Sequence, residues 1–315
     1  MSTPRTAEHE RLVFECLDSL FATTREAPFS IQVTAVDNAP GSGLGARLRA
    51  RFPGIAVIEN AERRGFAENH NAALRGSLAD FFVVANDDIQ FQPGALARAV
   101  GYLMDPAHAR VGVAAFRLVN PDGSLQPSTY GFPSIATALL GLSGLRGWIP
   151  FGRWPARLAR WVGRGGGKSR FWAHDQTVPV DSFRLAVGLV RAAAAREAGM
   201  MSEVSRFGGE EAEWFARFRR GGWSVVFVHD AVVMHHGNST VQANPRFDPE
   251  YLKGLVNYFE GHRAGWPVLA FRFLGSIMVS SRLAWYSLTG KRLMREVMAD
   301  CLLVLLGRPR PMRAS

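Results

Sequence analysis

Lysine is nearly missing from this chain: only Lys168, Lys253 and Lys291 stand among its 37 basic residues, and the rest are arginine. Codon usage in a GC-rich genome accounts for that skew before any binding function does. Cysteine is scarcer still. Cys16 and Cys301 are too few and too far apart for a disulfide framework or a thiolate metal site, and both sit in apolar helical patterns that suit small buried side chains. The opening MSTPRTAEHE is polar and carries no signal-peptide hydrophobic region, so a cytosolic chain is expected. Residues 264–289 are apolar but interrupted by Arg272 and Arg282, whereas a membrane span prefers about 20 unbroken apolar residues. A pair of amphipathic helices, packed on the domain or lying on a membrane surface, is expected there in preference to a span. No internal repeat is found. The string RGGGKSR lacks the spacing of a phosphate-cradling P-loop.

What is present is a core. With 315 residues, 47% of them hydrophobic, the chain can build one large domain with an appendage. A formal charge of +10 favours polyanionic partners: nucleotide phosphates, an anionic membrane face or nucleic acid, the last weakest because no recognised nucleic-acid motif accompanies the charge. Short strands and helices alternate from FSIQVTAVDN through ARLRARF, GIAVIEN, GFAENHNAALRG and DFFVVANDD to ALARAVGYLM. That alternation implies βαβ units and a parallel sheet. VGVAAFRLV reads as a further strand, VPVDSFRLAVGLVRAAAAREAG as a strand followed by a helix, and WSVVFV and AVVMHHGNST as successive strands. From about residue 250 the pattern is helical.

The chemistry concentrates at strand ends. Asn86, Asp87 and Asp88 follow the apolar FFVVA, and a buried parallel strand delivers its C-terminal residues to the crevice where open α/β sheets bind ligands. Two adjacent carboxylates there need a cation or hydrogen-bond donors to offset their repulsion. Hard oxygen ligands suit Mg²⁺ or Mn²⁺; the competing role is a plain acidic turn capping the next helix. Asp37 ends an earlier strand. Gly65 and Phe66 precede a helix whose first turns hold Asn69, His70 and Asn71, and whose free N–H groups suit an anion. Glu210 and Glu211 begin a helix after two glycines, and His235 and His236 end a strand one element later, offering a base and a metal-binding imidazole.

Taken together, VDNAPGS, ERRGFAENHNAAL, VVANDD, NPDGSLQPS, EEAEWFARFRRGGW and AVVMHHGNS, in this order and spacing, resemble the family-two inverting glycosyltransferases, most of all the rhamnosyltransferase-like branch, over residues 10–245. The resemblance implies a Rossmann-like, mixed and mostly parallel α/β sheet of the glycosyltransferase A type with a C-terminal helical extension. It divides the chain into a nucleotide-sugar domain, 1–248, and a helical, possible membrane-associated extension, 249–315. It implies an inverting transfer from a nucleotide-diphosphate sugar to a glycan or polyprenyl-linked acceptor at the inner membrane face, with Mg²⁺ or Mn²⁺ as cofactor and no nucleic acid. Asp37, Asn38, Gly65, Phe66, Asn71, Asn86 and Asp87 match the donor side, Asp88 and His235 the metal ligands, and Glu211 with Glu210 the catalytic acids. His236 is one residue away from the histidine position. Asp181 keeps its place in the middle Val-Asp and either touches the acceptor or caps its strand.

Three departures accompany the resemblance. Relatives begin with a hydrophobic strand before the helix written here RLVFECLDSL, where this chain has MSTPRTAEHE. Glu211 stands where Asp is usual, and Ser182 where Trp often follows the Val-Asp. A non-catalytic, glycosyltransferase-like subunit is the competing reading; a nucleotidyltransferase is a third, but the Gly-rich basic loop expected near its start is not found. Finally, Arg153, Arg157, Arg160, Arg164, Lys168 and Arg170 interleave with Trp154, Trp161, Phe171 and Trp172, as either an interfacial helix or a surface loop over the site, and Arg308, Arg310 and Arg313 add charge at the tail.

Overall fold

Strand β5 (Val111–Val119) shows how the sheet came to be central: its side chains alternate between two cores. Ala114, Phe116 and Leu118 point to one cluster, Val113 and Ala115 to the other, and both clusters are buried. A strand covered on both faces must be apolar almost throughout, as this one is. The architecture is that of a computed structural model describing residues 7–144, 174–237, 247–263 and 265–308. The basic, tryptophan-rich stretch 153–172, Arg310 and Arg313 lie outside the described residues.

The elements run α1 (Ala7–Thr24), β1 (Thr34–Asp37), α2 (Leu44–Arg51), β2 (Ala56–Glu59), α3 (Phe66–Leu74), β3 (Phe81–Ala85), β4 (Ile89–Phe91), α4 (Ala95–Met104), β5, β6 (Thr129–Tyr130) and α5 (Ile135–Leu142). They continue with β7 (Val178–Val180), β8 (Ser182–Phe183), β9 (Val187–Arg191), α6 (Ala192–Ala198), α7 (Glu210–Arg220), β10 (Ser224–His235), α8 (Phe247–His262), α9 (Trp266–Leu288) and α10 (Arg292–Leu305). A mixed six-stranded sheet has the order β3-β9-β5-β10-β4, with β7 also pairing β10. Because β9 is antiparallel to both β3 and β5, and β10 is parallel to β5, the strands β3, β5 and β10 all run one way. The two expected strands WSVVFV and AVVMHH are one, β10, bent by a bulge between Val228 and Val232.

One face of this sheet carries α4, whose Ala95, Leu96, Ala99, Val100 and Leu103 form a buried stripe at helical spacing. The other face carries α6 and α7, where Trp214, Phe215 and Phe218 are fully enclosed. Each such side chain contributes roughly 1.5–3 kcal/mol by leaving water. A third cluster joins α8, α9, α10 and α5.

Strands β1 and β2 pair in parallel as a separate two-stranded sheet, so among the described residues β1 pairs only β2, and β3 pairs only β9. Helix α1 bridges the two sheets: Val13 and Leu17 pack with Leu44, Leu48 and Ile55 beside β1–β2, while Cys16 joins the core of the six-stranded sheet. The domain boundary expected at 248 falls inside α8, which packs against α7 through Leu252, Leu255, Ala212 and Ala216.

Candidate active site

The loop after β5 builds one hydrogen-bonded chain of the site. Ser124 Oγ donates to Asp122 (2.6 Å) and accepts from the Asn120 amide (2.8 Å), which fixes Asn120 with its oxygen toward Gln126. Gln126 Nε2 donates to that oxygen at 2.9 Å, so Gln126 Oε1 faces His235, 2.6 Å from Nδ1. His235 therefore donates its Nδ1–H to Gln126 and turns the Nε2 lone pair toward Asp88 Oδ1, 3.4 Å away. Both side chains are buried. Two electron-rich atoms side by side, one on an imidazole oriented by an amide, fit a divalent cation whose other positions are left to diphosphate oxygens and water. No group of three or more His, Cys, Asp or Glu that could hold a metal is found among the described residues. His236 is directed elsewhere: its Nε2 lies 3.5 Å from Gln90 Nε2, while its backbone N–H donates to the Asp88 carbonyl.

Asp87 points elsewhere. It accepts from His9 of α1 at 3.1 Å and is half-exposed. Beneath the acidic pair lies Cys16, whose thiol is pushed up to about 12 by burial first and then by the charges of Asp87 and Asp88. It remains a neutral thiol. The backbone N–H of Asn86 donates to Ala186 (2.8 Å), tying the strand end to the segment 184–186.

The residue before that segment, Phe183, stacks on Phe215 of α7 with ring centroids 4.7 Å apart, which brings the segment alongside the other half of the site. Arg184 opposes the upward shift of Glu211, the second residue of α7, whose carboxyl is raised above its ordinary range mainly by burial. Its neighbour Glu210 is pushed up to about 8, by burial first and Glu211 second. The helix N-terminus would favour both as anions, but desolvation outweighs it. The turn that launches them has Gly208 and Gly209 at φ 89° and 90°, a conformation open to glycine. A side chain on Gly254 of α8 would lie 2.3 Å from the Gly208 carbonyl, so the two backbones touch. Glu250 of the same helix accepts from the Arg206 N–H at 2.8 Å. The C-terminal helices thus hold the acid-bearing turn in place.

The remaining site residues interlock. Asp37 accepts from the Ala39 N–H and the Ser42 hydroxyl. Asn38 accepts from the Arg64 N–H (2.8 Å) and donates to the Arg64 carbonyl (2.9 Å), bracing the approach to Gly65. Phe66 N–H donates to the Arg206 carbonyl at 2.6 Å, and a Cβ on Gly65 would sit 2.9 Å from Arg206 Cα. Thus the glycine turn docks on the loop that precedes Glu210. His70 spans from the Phe66 carbonyl (2.9 Å) to that of Ala85 (3.4 Å), the residue before Asn86. Asn71 is wholly engaged in bracing: it donates to Met201 O (2.9 Å) and Glu203 (2.8 Å) and accepts from Met201 N–H (3.2 Å).

Asp181 stands apart. It is ion-paired with Arg219 at 2.6 Å, near the C-terminal end of α7. Eight residues of helix separate Arg219 from Glu211, roughly 12 Å of rise. Hydrogen bonds and shared turns link Asp37, Asn38, Gly65, Phe66, Asn86, Asp87, Asp88 and His235 to the loop that leads into Glu210 and Glu211, while Asp181 pairs with the opposite end of the helix those two acids begin. Sequence reasoning missed His9, Gln126 and Arg184. Gln126 lay inside the quoted NPDGSLQPS, but its role needs the partner from β10.

A family model for glycosyl transferase family 2 matches residues 7–146. The N-acetylglucosaminyl-diphospho-decaprenol L-rhamnosyltransferase of Mycobacterium tuberculosis, in strains CDC 1551 / Oshkosh and ATCC 25618 / H37Rv, is 25% identical over 269 residues, 80% of this chain and 83% of the relative. Over these stretches the chain is similar to family-two, rhamnosyltransferase-like glycosyltransferases. Glycosyl transfer is accordingly the class of reaction that these likenesses support. Two solved structures share its fold, the glycosyltransferase A type. The mannosyltransferase PcManGT from Pyrobaculum calidifontis, in complex with GDP-Man and Mn²⁺, superposes with a TM-score of 0.50 at 18% identity, over 96% of this chain and 84% of that one. GalNAc-T7 with UDP, GalNAc and Mn²⁺ gives 0.53 at 14% identity, over 91% of this chain and 52% of the other.

Proposed function

We propose that this glycosyltransferase moves a sugar from a nucleotide-diphosphate donor to a lipid-linked or polysaccharide acceptor, inverting the anomeric centre in one displacement. Rhamnose is the sugar suggested by the name of the mycobacterial relatives. The observation that supports the reading is the segment 183–186, hydrogen-bonded to Asn86 through Ala186 and stacked on Phe215 of the helix that Glu211 helps to open. Metal-binding groups and a carboxylate base would then flank one short stretch of chain.

Asp88 and His235 would hold Mn²⁺ or Mg²⁺, which when bound offsets charge growing on the leaving diphosphate. Gln126 keeps the imidazole in the required tautomer. Asp37, Asn38, Asn86 and Asp87 would line the nucleoside and donor sugar, with Gly65 and Phe66 shaping the approach and Asn71 bracing it from beneath. Glu211 would take the proton of the attacking acceptor hydroxyl. Its raised affinity for protons suits that task, because a base must hold the proton it removes. Glu210, buried beside Glu211, keeps its own proton near neutrality and spares Glu211 a neighbouring charge. The cytoplasmic face of the membrane is the proposed place of action, with the extension from 249 as the part that meets it.

The test is transfer or donor hydrolysis with dTDP- and UDP-sugars in Mn²⁺. Glu211→Gln is expected to lower kcat by at least a hundredfold with little change in donor binding, and Asp88→Ala to abolish the metal requirement together with activity. Full transfer by Glu211→Gln would remove the base assignment. Absence of metal-dependent nucleotide binding at millimolar ligand would favour the non-catalytic reading.

A further inference from the structure

We propose that the outer face of α9 lies in the interfacial layer of an anionic lipid bilayer, with the helix parallel to the membrane plane. The inference rests on the membrane-surface reading above and gives that reading a named surface and a mode of attachment.

Helix α9 is amphipathic the wrong way round for a soluble protein. Trp266, Leu269, Phe273, Ile277, Trp285 and Leu288 are between 52% and 85% exposed. At 100° per residue they fall within an arc of about 160° along some 34 Å of helix. Its two charged residues, Arg272 and Arg282, turn inward instead. Arg272 donates to the carbonyls of Val304 (3.1 Å) and Leu305 (2.7 Å) and pairs with Glu260 of α8; Arg282 donates to the Leu142 carbonyl at the end of α5 (3.2 Å). A contiguous apolar strip of this length on a folded chain marks a surface that is covered in use.

Packing decides between lying flat and spanning. The helix is long and apolar enough to cross a bilayer by length and composition. Its inner face, however, is committed: Val268, Phe271, Gly275 and Val279 are buried against α5, α8 and α10, and Leu283 and Tyr286 beyond them are partly buried on the same cluster. A Cβ on Gly275 would lie 3.1 Å from Leu142 and 3.3 Å from Leu305, so neighbours leave no room on that side. Crossing a membrane would strip both arginines of their carbonyl partners. Lying flat leaves every one of these contacts intact.

Charge selects lipid over a second protein. The exposed cations Arg263, at one end of the strip, and Lys291, Arg292 and Arg295, at the other, flank it, with Arg308 beyond α10. Anionic headgroups attract such a rim, at about 1 kcal/mol per cation near the surface. Trp266 and Trp285 near the two ends have the amphipathic rings favoured at headgroup depth. Two copies meeting through this face would bring like charges together.

The experiment uses the full chain and vesicles of phosphatidylcholine with and without phosphatidylglycerol. Flotation should recover the protein with anionic vesicles, and high salt should release a large part of it. Phe273→Gln/Ile277→Gln, both at exposed positions, should reduce vesicle binding at least tenfold while leaving the unfolding temperature and metal-dependent nucleotide binding unchanged. Undiminished vesicle binding by this variant overturns the proposal. So does a stable dimer in solution that the same variant dissociates, or resistance of the bound protein to alkaline carbonate, which marks a span. Nucleotide binding without vesicle binding would sink this inference alone; vesicle binding without nucleotide binding would sink the transferase reading alone.

Discussion

Replacing Gln126 by leucine isolates the tautomer control of the proposed metal site. The leucine keeps similar bulk but removes the acceptor that lies 2.6 Å from His235 Nδ1. Without it, nothing selects the Nδ1–H form, and the alternative tautomer puts a proton on Nε2, between the ring and Asp88 Oδ1 at 3.4 Å. Loss of an outer-shell partner of this kind typically costs 10- to 100-fold in metal affinity, about 1.4–2.7 kcal/mol. The expected result is a 10- to 100-fold rise in the Mn²⁺ concentration needed for half-maximal nucleotide binding by calorimetry, or for half-maximal donor hydrolysis. Saturating metal should restore most of the rate. Gln126→Glu, which keeps an acceptor at the same reach, should behave like the wild type or bind metal more tightly. Equal metal dependence in Gln126→Leu and wild type, with both well folded, would refute the assignment of His235 as an oriented ligand.

Two further outcomes follow from buried polar groups. Glu210 binds its proton more tightly when folded, near pH 8 against an ordinary 4.5, so its contribution to stability is present below pH 4.5 and is lost as pH rises through about 8. Glu210→Gln should therefore unfold at a higher temperature than the wild type at pH 9 and at nearly the same temperature at pH 4.5; equal melting curves at both pH values would contradict the burial argument. Asn71→Ala leaves the Met201 N–H and carbonyl without their amide partner, at about 1–3 kcal/mol for each group that water cannot reach, and urea denaturation should show the loss. A variant as stable as the wild type but weak in donor binding would make Asn71 a donor contact in place of a brace.

Much of this molecule is written locally. FFVVA followed by acids, the glycine turn before FAENHN, and the acids opening EEAEWF each declare a strand end or a helix start within a few residues, because backbone preference and side-chain periodicity act over short distances. Those local signals, in order, carried both the α/β class and the family resemblance. Residues outside them were invisible for the opposite reason. Gln126 acquires meaning only when the loop after β5 meets the end of β10, 109 residues away, and His9 only when α1 crosses Asp87.

Helix α9 and Asp181 make the same point from the other side. Periodicity read two inward-breaking arginines as interruptions, yet in the folded chain Arg272 and Arg282 find carbonyls on α10 and α5, and one unbroken helix results. Asp181 follows the strand as its Val-Asp motif promised, but only the antiparallel pairing of β7 with β10 set it against Arg219, at the end of α7 opposite the two acids. Sequence alone determined which groups could do chemistry, since that depends on residue type and immediate neighbours. Which of them face one another was decided by long-range packing, because burial and hydrogen-bond partners are set by elements that meet only when the sheet and its helices close together.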